Sequence, residues 1–210
     1  MTTSPSPFEP ITIGPLTLRN RFIKSGANEA MCLDGRPTAA LVKHHTDLAR
    51  GGVGMTTVAY MAVAPEGRTL PNQIWMRRDI LPDLKALTAA VHAEGAAISA
   101  QITHGGSFVT GMKVKGRTIS ACSGFNPAGA MKGNFFQRAM TEADMERVIG
   151  EFVASAELAR DAGFDAVELH MGHGYLLNQF ISPLNNKRED EYGGSAENRV
   201  RFPARVLAAV

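Results

Sequence analysis

Three side chains able to handle protons and developing charge crowd one short run, His170-Met-Gly-His173-Gly-Tyr175. Histidines at i and i+3 can both point at one substrate oxygen, and as N–H donors they can stabilise negative charge on it. A phenol with an ordinary pKa of about 10 stays protonated at neutral pH and can serve as a proton donor. The His-x-x-His spacing also suits a zinc ion. Zinc usually needs a third protein ligand, and no carboxylate or cysteine nearby stands out as one, so no metal site is assigned.

Those residues need a scaffold that brings distant segments to one place, and the chain repeats a strand, loop, helix pattern. Strands are expected over 22–28, 53–63, 97–103 and 165–170. The second is apolar or β-branched almost throughout, as in a strand buried on both faces. Helices are expected over 37–50, with Pro37 at its first position and Gly51-Gly52 as its stop, and over 80–94, with Asp79 as cap and Gly95 as stop. Thr141 with Asp144 resembles a capping box and opens a helix over 142–162, closed by Gly163. Residues 105–140 read as one long loop, of a length that is usually functional or disordered. A second polar loop runs to Gly194, and Ser195 could cap a final helix. Four βα units in a row imply a parallel sheet with right-handed crossovers, either an open doubly wound sheet or a (β/α)8 barrel. No Gly-x-Gly-x-x-Gly follows the first strand, which weakens the dinucleotide-binding open sheet. In both architectures chemistry sits beyond the carboxyl ends of the strands. Here those ends carry Asn28, Tyr60, Gln101 with His104, and His170 with His173.

The run from His170 through Gly174-Tyr175-Leu-Leu-Asn-Gln179-Phe to Asp190-Glu-Tyr192-Gly-Gly-Ser195-Ala-Glu-Asn198-Arg199 resembles the Old Yellow Enzyme family of NADH:flavin oxidoreductases over about thirty positions. Leu18-Arg-Asn20-Arg21 and Gln101-Ile-Thr-His104-Gly-Gly match further family segments upstream. The resemblance implies a (β/α)8 TIM barrel that binds FMN, takes reducing equivalents from NADH or NADPH, and reduces an activated alkene in a ping-pong order. It implies that His170 and His173 hold the substrate oxygen and touch the flavin, that Tyr175 donates the proton, and that Gln101 pairs with the imide edge of the isoalloxazine. Ser25, Gly26, Asn28 and Tyr60 fall in segments that line the flavin in relatives. Asn28 stands where better-known members have Thr or Cys, and Tyr60 where they have a small residue, so flavin tuning and substrate range should differ. Ser107 replaces the family's Arg after His-x-Gly. Lys187 to Tyr192 reads as a solvated structural approach to the last helix, and Lys113 and Lys115 as surface charge on a loop that could lie over the substrate.

Composition bounds the rest. The 210 residues are 44% hydrophobic and 20% charged, which excludes disordered, collagen-like and coiled-coil chains. Lys plus Arg number 22 against 20 Asp plus Glu, too weak a balance for binding nucleic acid or a membrane surface through charge. Two separated cysteines, no signal-like N-terminus and no long apolar run lead to the expectation of a cytoplasmic protein with reduced thiols. A complete barrel takes about 250 residues. The chain is therefore expected to hold about the first four βα units as one domain over 1–210, with a C-terminal half supplied by further chain or a homo-oligomer as partner. Two other readings stand beside the ene reductase: a split or truncated non-catalytic half-barrel, and a flavin-independent lyase or isomerase using His170 and His173 as acid and base.

Overall fold

The computed structural model describes residues 5–210. A hairpin of β1 (Ile11–Ile13) and β2 (Leu16–Leu18) precedes β3 (Ile23–Lys24), and a second hairpin, β4 (Cys32–Leu33) with β5 (Arg36–Pro37), leads into α1 (Ala39–Arg50). Then follow β6 (Met55–Ala62), α2 (Leu81–Ala93), β7 (Ala97–Thr103), β8 (Thr118–Ser120), β9 (Gly124–Phe125) and β10 (Phe136–Ala139). The chain continues through α3 (Glu142–Ala162), β11 (Ala166–Leu169), α4 (Leu176–Ile181) and α5 (Ala196–Ala209). The main sheet is parallel and runs β11-β7-β6-β3, with α1, α2 and α3 as the crossovers, giving four βα units of a (β/α)8 barrel. β6 and β7 are buried along almost their whole length, which is why both read as near-continuous apolar segments. Val58, Met61, Ile98 and Ile102 from these strands join one core with Leu84, Leu87 and Val91 of α2 and with Met145, Val148, Phe152 and Leu158 of α3. Among the described residues no helix is long and apolar enough to cross a membrane.

Local chemistry accounts for the boundaries. α3 is opened by a reciprocal capping box, with Thr141 Oγ1 accepting from Asp144 N–H at 3.2 Å and Asp144 Oδ2 accepting from Thr141 N–H at 2.9 Å. It closes on Gly163 at φ +88°. α5 starts as expected at Ser195, whose hydroxyl accepts from Asn198 N–H. Two helix starts differ from the sequence expectation. Thr38 rather than Pro37 opens α1, because its hydroxyl can accept from Leu41 N–H, while Pro37 lies in β5. Asp79 does not cap α2. It lies in a single 3-10 turn, Arg78–Ile80, and its carboxylate is taken by Arg36 and by Arg77.

The 22–28 segment is a strand only at Ile23–Lys24. Beyond it Asn28 Oδ1 accepts from Ala30 N–H at 3.0 Å and Ala30 turns to φ +52°, so the chain folds over the sheet's carboxyl edge. The 105–140 segment is not one loop. Its strands form a small sheet in the order β8-β10-β9. Two buried asparagines complete it: Asn126 donates to Ser107 O and accepts from Gly129 N–H, and Asn134 donates to Met112 O and accepts from Val114 N–H. α4 is a further element inside the run expected to be a polar loop.

Candidate functional site

The carboxyl ends of the four parallel strands deliver the chemistry-bearing residues to one cavity of about 230 Å³, lined by Gly26, Ala27, Asn28, Tyr60, Gln101, His170, His173 and Tyr175. All the residues named from sequence as catalytic or cofactor-binding meet there except Ser25, which lies in the same segment without lining the cavity. Among the described residues no cluster of three or more His, Cys, Asp or Glu is placed to hold a metal ion.

Gln101 sits on β7 and its Nε2 donates to Glu168 Oε1 on β11 at 2.7 Å, a partner the sequence did not single out. That bond orients the amide and leaves its carbonyl and second N–H available. Gly26 passes so close that a Cβ there would lie 2.8 Å from Gln101 Cδ and overlap the amide nitrogen. The glycine is thus favoured by the close approach of a side chain rather than by backbone conformation. Asn28 spends its Oδ1 on Ala30 N–H, so its Nδ2 hydrogens are left to face a ligand.

Tyr175 is the N-cap residue of α4 and is buried. Its ring meets His170 edge-on at 4.9 Å between centroids and packs against Tyr60 and Phe108, each at 5.6 Å. Burial, then the neighbouring Tyr60 phenol, push its pKa above the ordinary phenol value, which keeps the proton in place. Tyr60 is pinned from behind. Gln73 Nε2 donates to its carbonyl at 2.8 Å, and its hydroxyl lies 2.7 Å from Thr69 Oγ1. Thr69 donates in turn to Gln73 Oε1 at 3.2 Å, which leaves Tyr60 as the donor to Thr69. The ring therefore walls off the site from a neighbouring cavity of about 240 Å³ that it and Asn28 also line.

His170 follows β11, and His173 stands three residues on at φ +56°, a left-handed conformation that a non-glycine residue holds at some cost. Burial, then His173, lower the His170 pKa, while Glu168 opposes them. The loop that carries the pair is tied down by residues of the same motif. Asn178 Oδ1 accepts from Gly174 N–H, and Gln179 donates to Gly105 O at 3.1 Å and Gly174 O at 2.6 Å, joining the ends of β7 and β11. Further on, buried Asn186 donates to Phe180 O and Tyr192 O, and Arg188 donates to Ala121 O and Met140 O. The 187–192 segment is structural as expected, although Tyr192 is buried rather than solvated and donates to Glu142 at 2.8 Å.

The chain is similar to several known proteins. It is 45% identical over 214 residues to the 4,4'-dithiodibutanoate disulfide reductase of Rhodococcus erythropolis, covering 100% of this chain and 52% of that protein. To the NADPH dehydrogenase of Geobacillus thermodenitrificans it is 37% identical over 212 residues, covering 97% and 58%. Old Yellow Enzyme from Pichia sp. superposes with a TM-score of 0.88 at 27% identity, over 97% of this chain and 55% of that one. Morphinone reductase in complex with tetrahydroNAD gives 0.86 at 26%, over 98% and 60%. The chain spans about half the length of the curated relatives it matches. The strand-end cavity carries the motif residues, and the NADH:flavin oxidoreductase / NADH oxidase family pattern matches residues 6–210, so the chain belongs to that family.

Proposed function

We propose that these residues form the flavin- and substrate-facing part of an FMN-dependent oxidoreductase that uses NAD(P)H to reduce an α,β-unsaturated carbonyl or a related electrophile. The observation that carries this reading is the convergence of Tyr175, the His170–His173 pair and Gln101 on one cavity. The residues fit a flavin. Gln101 presents amide donor and acceptor capacity, Asn28 an unspent amide, and Gly26 a surface without side chain, against which a flat ring can lie. When bound, FMN would accept hydride from the nicotinamide and pass hydride to the substrate. The chain's own residues do the rest. The outward ring nitrogen that carries a proton in the His170–His173 pair donates to the substrate oxygen and stabilises charge there. Tyr175 holds its proton against ionisation and delivers it to the substrate carbon next to the activating group. Tyr60, pinned to Thr69, limits the space opposite Tyr175.

A second reading has its own support. The relative named for reducing a disulfide dicarboxylate is 45% identical, against 37% for the NADPH dehydrogenase. Disulfide reduction needs the same two electrons and a proton for each leaving thiolate. One experiment separates the readings: the 210-residue chain is titrated with FMN, then supplied with NADPH and either cyclohexenone or 4,4'-dithiodibutanoate. Flavin binding with cyclohexenone turnover supports the ene reductase, and turnover of the disulfide alone replaces it. A chain that stays colourless with excess FMN rejects both for these 210 residues and favours the half-barrel that needs a second half. Turnover of a substrate in flavin-free protein would instead support the lyase or isomerase.

A further inference from the structure

A separate cavity of about 270 Å³ shares no lining residue with the site above. Glu66, His104, Lys115, Arg117, Arg138 and Arg147 line it. His104 is 1% exposed, and its Nδ1 accepts from Gly106 N–H at 3.0 Å. Burial, then Arg147, hold this ring neutral, with a pKa lowered to about 3, so its one proton is on Nε2. Gly67 clamps the ring, since a Cβ there would lie 2.8 Å from His104 Cδ2. Nε2 nevertheless has no hydrogen-bond partner among the described residues, and a buried donor is rarely left without an acceptor.

The charges around it favour a particular acceptor. Arg138 is spent on both oxygens of Asp144, at 2.6 and 2.7 Å, and Arg147 is shared between Glu66 at 3.0 Å and Glu151 at 2.5 Å. Lys115 and Arg117 form no ion pair among the described residues; the Arg117 guanidinium only leans over the Phe136 ring. One bridging water would fill little of the space, because its share of liquid volume is about 30 Å³. We propose that this cavity binds an oxyanion, a carboxylate or a phosphate, with one oxygen accepting from His104 Nε2–H and the charge offset by Lys115 and Arg117.

The test uses the full 210-residue chain labelled with 15N at histidine and in the backbone, titrated with inorganic phosphate and separately with glutarate. Expected is a saturable shift of one ring Nε2–H, with a matching shift at the Gly106 amide that bonds to the same ring. Arg117→Gln should weaken the binding at least tenfold and Lys115→Gln should weaken it in the same direction. A response to phosphate alone or to glutarate alone assigns the class of oxyanion. No saturable shift with either anion at tens of millimolar overturns the proposal, as does a shift that both substitutions leave unchanged.

Discussion

His173 Nδ1 lies 3.1 Å from His170 Nε2, so the two imidazoles share one hydrogen. Each neutral ring carries a single N–H. One of the two is consumed between the rings, in either tautomer, and one remains on an outward nitrogen, His170 Nδ1 or His173 Nε2. A neutral pair in this arrangement presents one donor to a substrate oxygen and one acceptor beside it. Two donors require the rings to part, or a third proton. The lowered His170 pKa disfavours that third proton at neutral pH.

The backbone at His173 has its own consequence. At φ +56° a side chain branched at Cβ is strained, whereas Asn tolerates this conformation well. His173→Asn should therefore leave the unfolding free energy from urea titration within about 1 kcal/mol of the parent, while His173→Val should lose roughly 1–2 kcal/mol more than Asn. Equal midpoints for the two variants would show that the left-handed turn is not held in solution.

Tyr175 and Tyr60 stand 5.6 Å apart between ring centroids and are assigned opposite duties. In FMN-loaded protein, Tyr175→Phe should slow the alkene half-reaction by about 100-fold or more, a typical worth for a general acid. Flavin reduction by NADPH should stay within about twofold, since no proton from Tyr175 enters that step. Tyr60→Phe should reverse the emphasis, sparing proton delivery and loosening the wall that Thr69 now holds. Stopped-flow measurement of the two half-reactions decides; equal loss of both in Tyr175→Phe removes the proton-donor role.

Two glycines in close contacts should behave differently on conversion to alanine. At Gly26 the obstacle is the amide of Gln101, the far end of a side chain that can swing away if it gives up Glu168. Gly26→Ala should cost only about 1 kcal/mol of stability but weaken FMN binding at least tenfold. At Gly193 the obstacle is the backbone carbonyl of Arg188, whose position is set by the Asn186 and Arg188 bonds. Gly193→Ala should cost roughly 3 kcal/mol or more, because backbone must move. Urea midpoints and flavin fluorescence quenching measure the two effects separately.

How far the sequence reaches can be judged from particular elements. β7 was expected over 97–103 and is Ala97–Thr103; the Thr141–Asp144 box and the Gly163 stop lie where expected. These signals are local, set by apolar runs and by side chains bonding within three residues. Pro37 and Asp79 misled because a nearby Thr38 made a better cap and a distant Arg36 took the aspartate. The small sheet of β8, β9 and β10 was hidden because its strands are two to four residues long and depend on Asn126 and Asn134 reaching back along the chain. In the site, the motif residues were legible by resemblance. Glu168, Thr69 and Gln73 were not, since they orient residues that stand 67, 9 and 13 positions away, separations that belong to no helical or strand period.

Stability should fall on mild acidification. His45 and His104 are both buried, each with a pKa lowered from 6.5 to about 3, chiefly by burial. A base whose folded pKa is depressed is protonated first in the unfolded chain. Its stabilising effect is complete above about pH 6.5 and is lost progressively as the pH falls toward 3. Each such histidine contributes a slope of about 1.4 kcal/mol per pH unit in that window, and the two together roughly 2.7. His170, half-buried and lowered, acts in the same direction. Glu151, whose carboxyl is raised by burial, opposes them with at most one group's slope. Urea midpoints at pH 7, 6 and 5 stay above the range where surface carboxylates titrate and should decline steadily. His45→Gln, which leaves no titrating ring beside Thr56, should remove about half of that decline even if it lowers every midpoint. A midpoint independent of pH across this window would mean that these rings are hydrated in solution rather than buried.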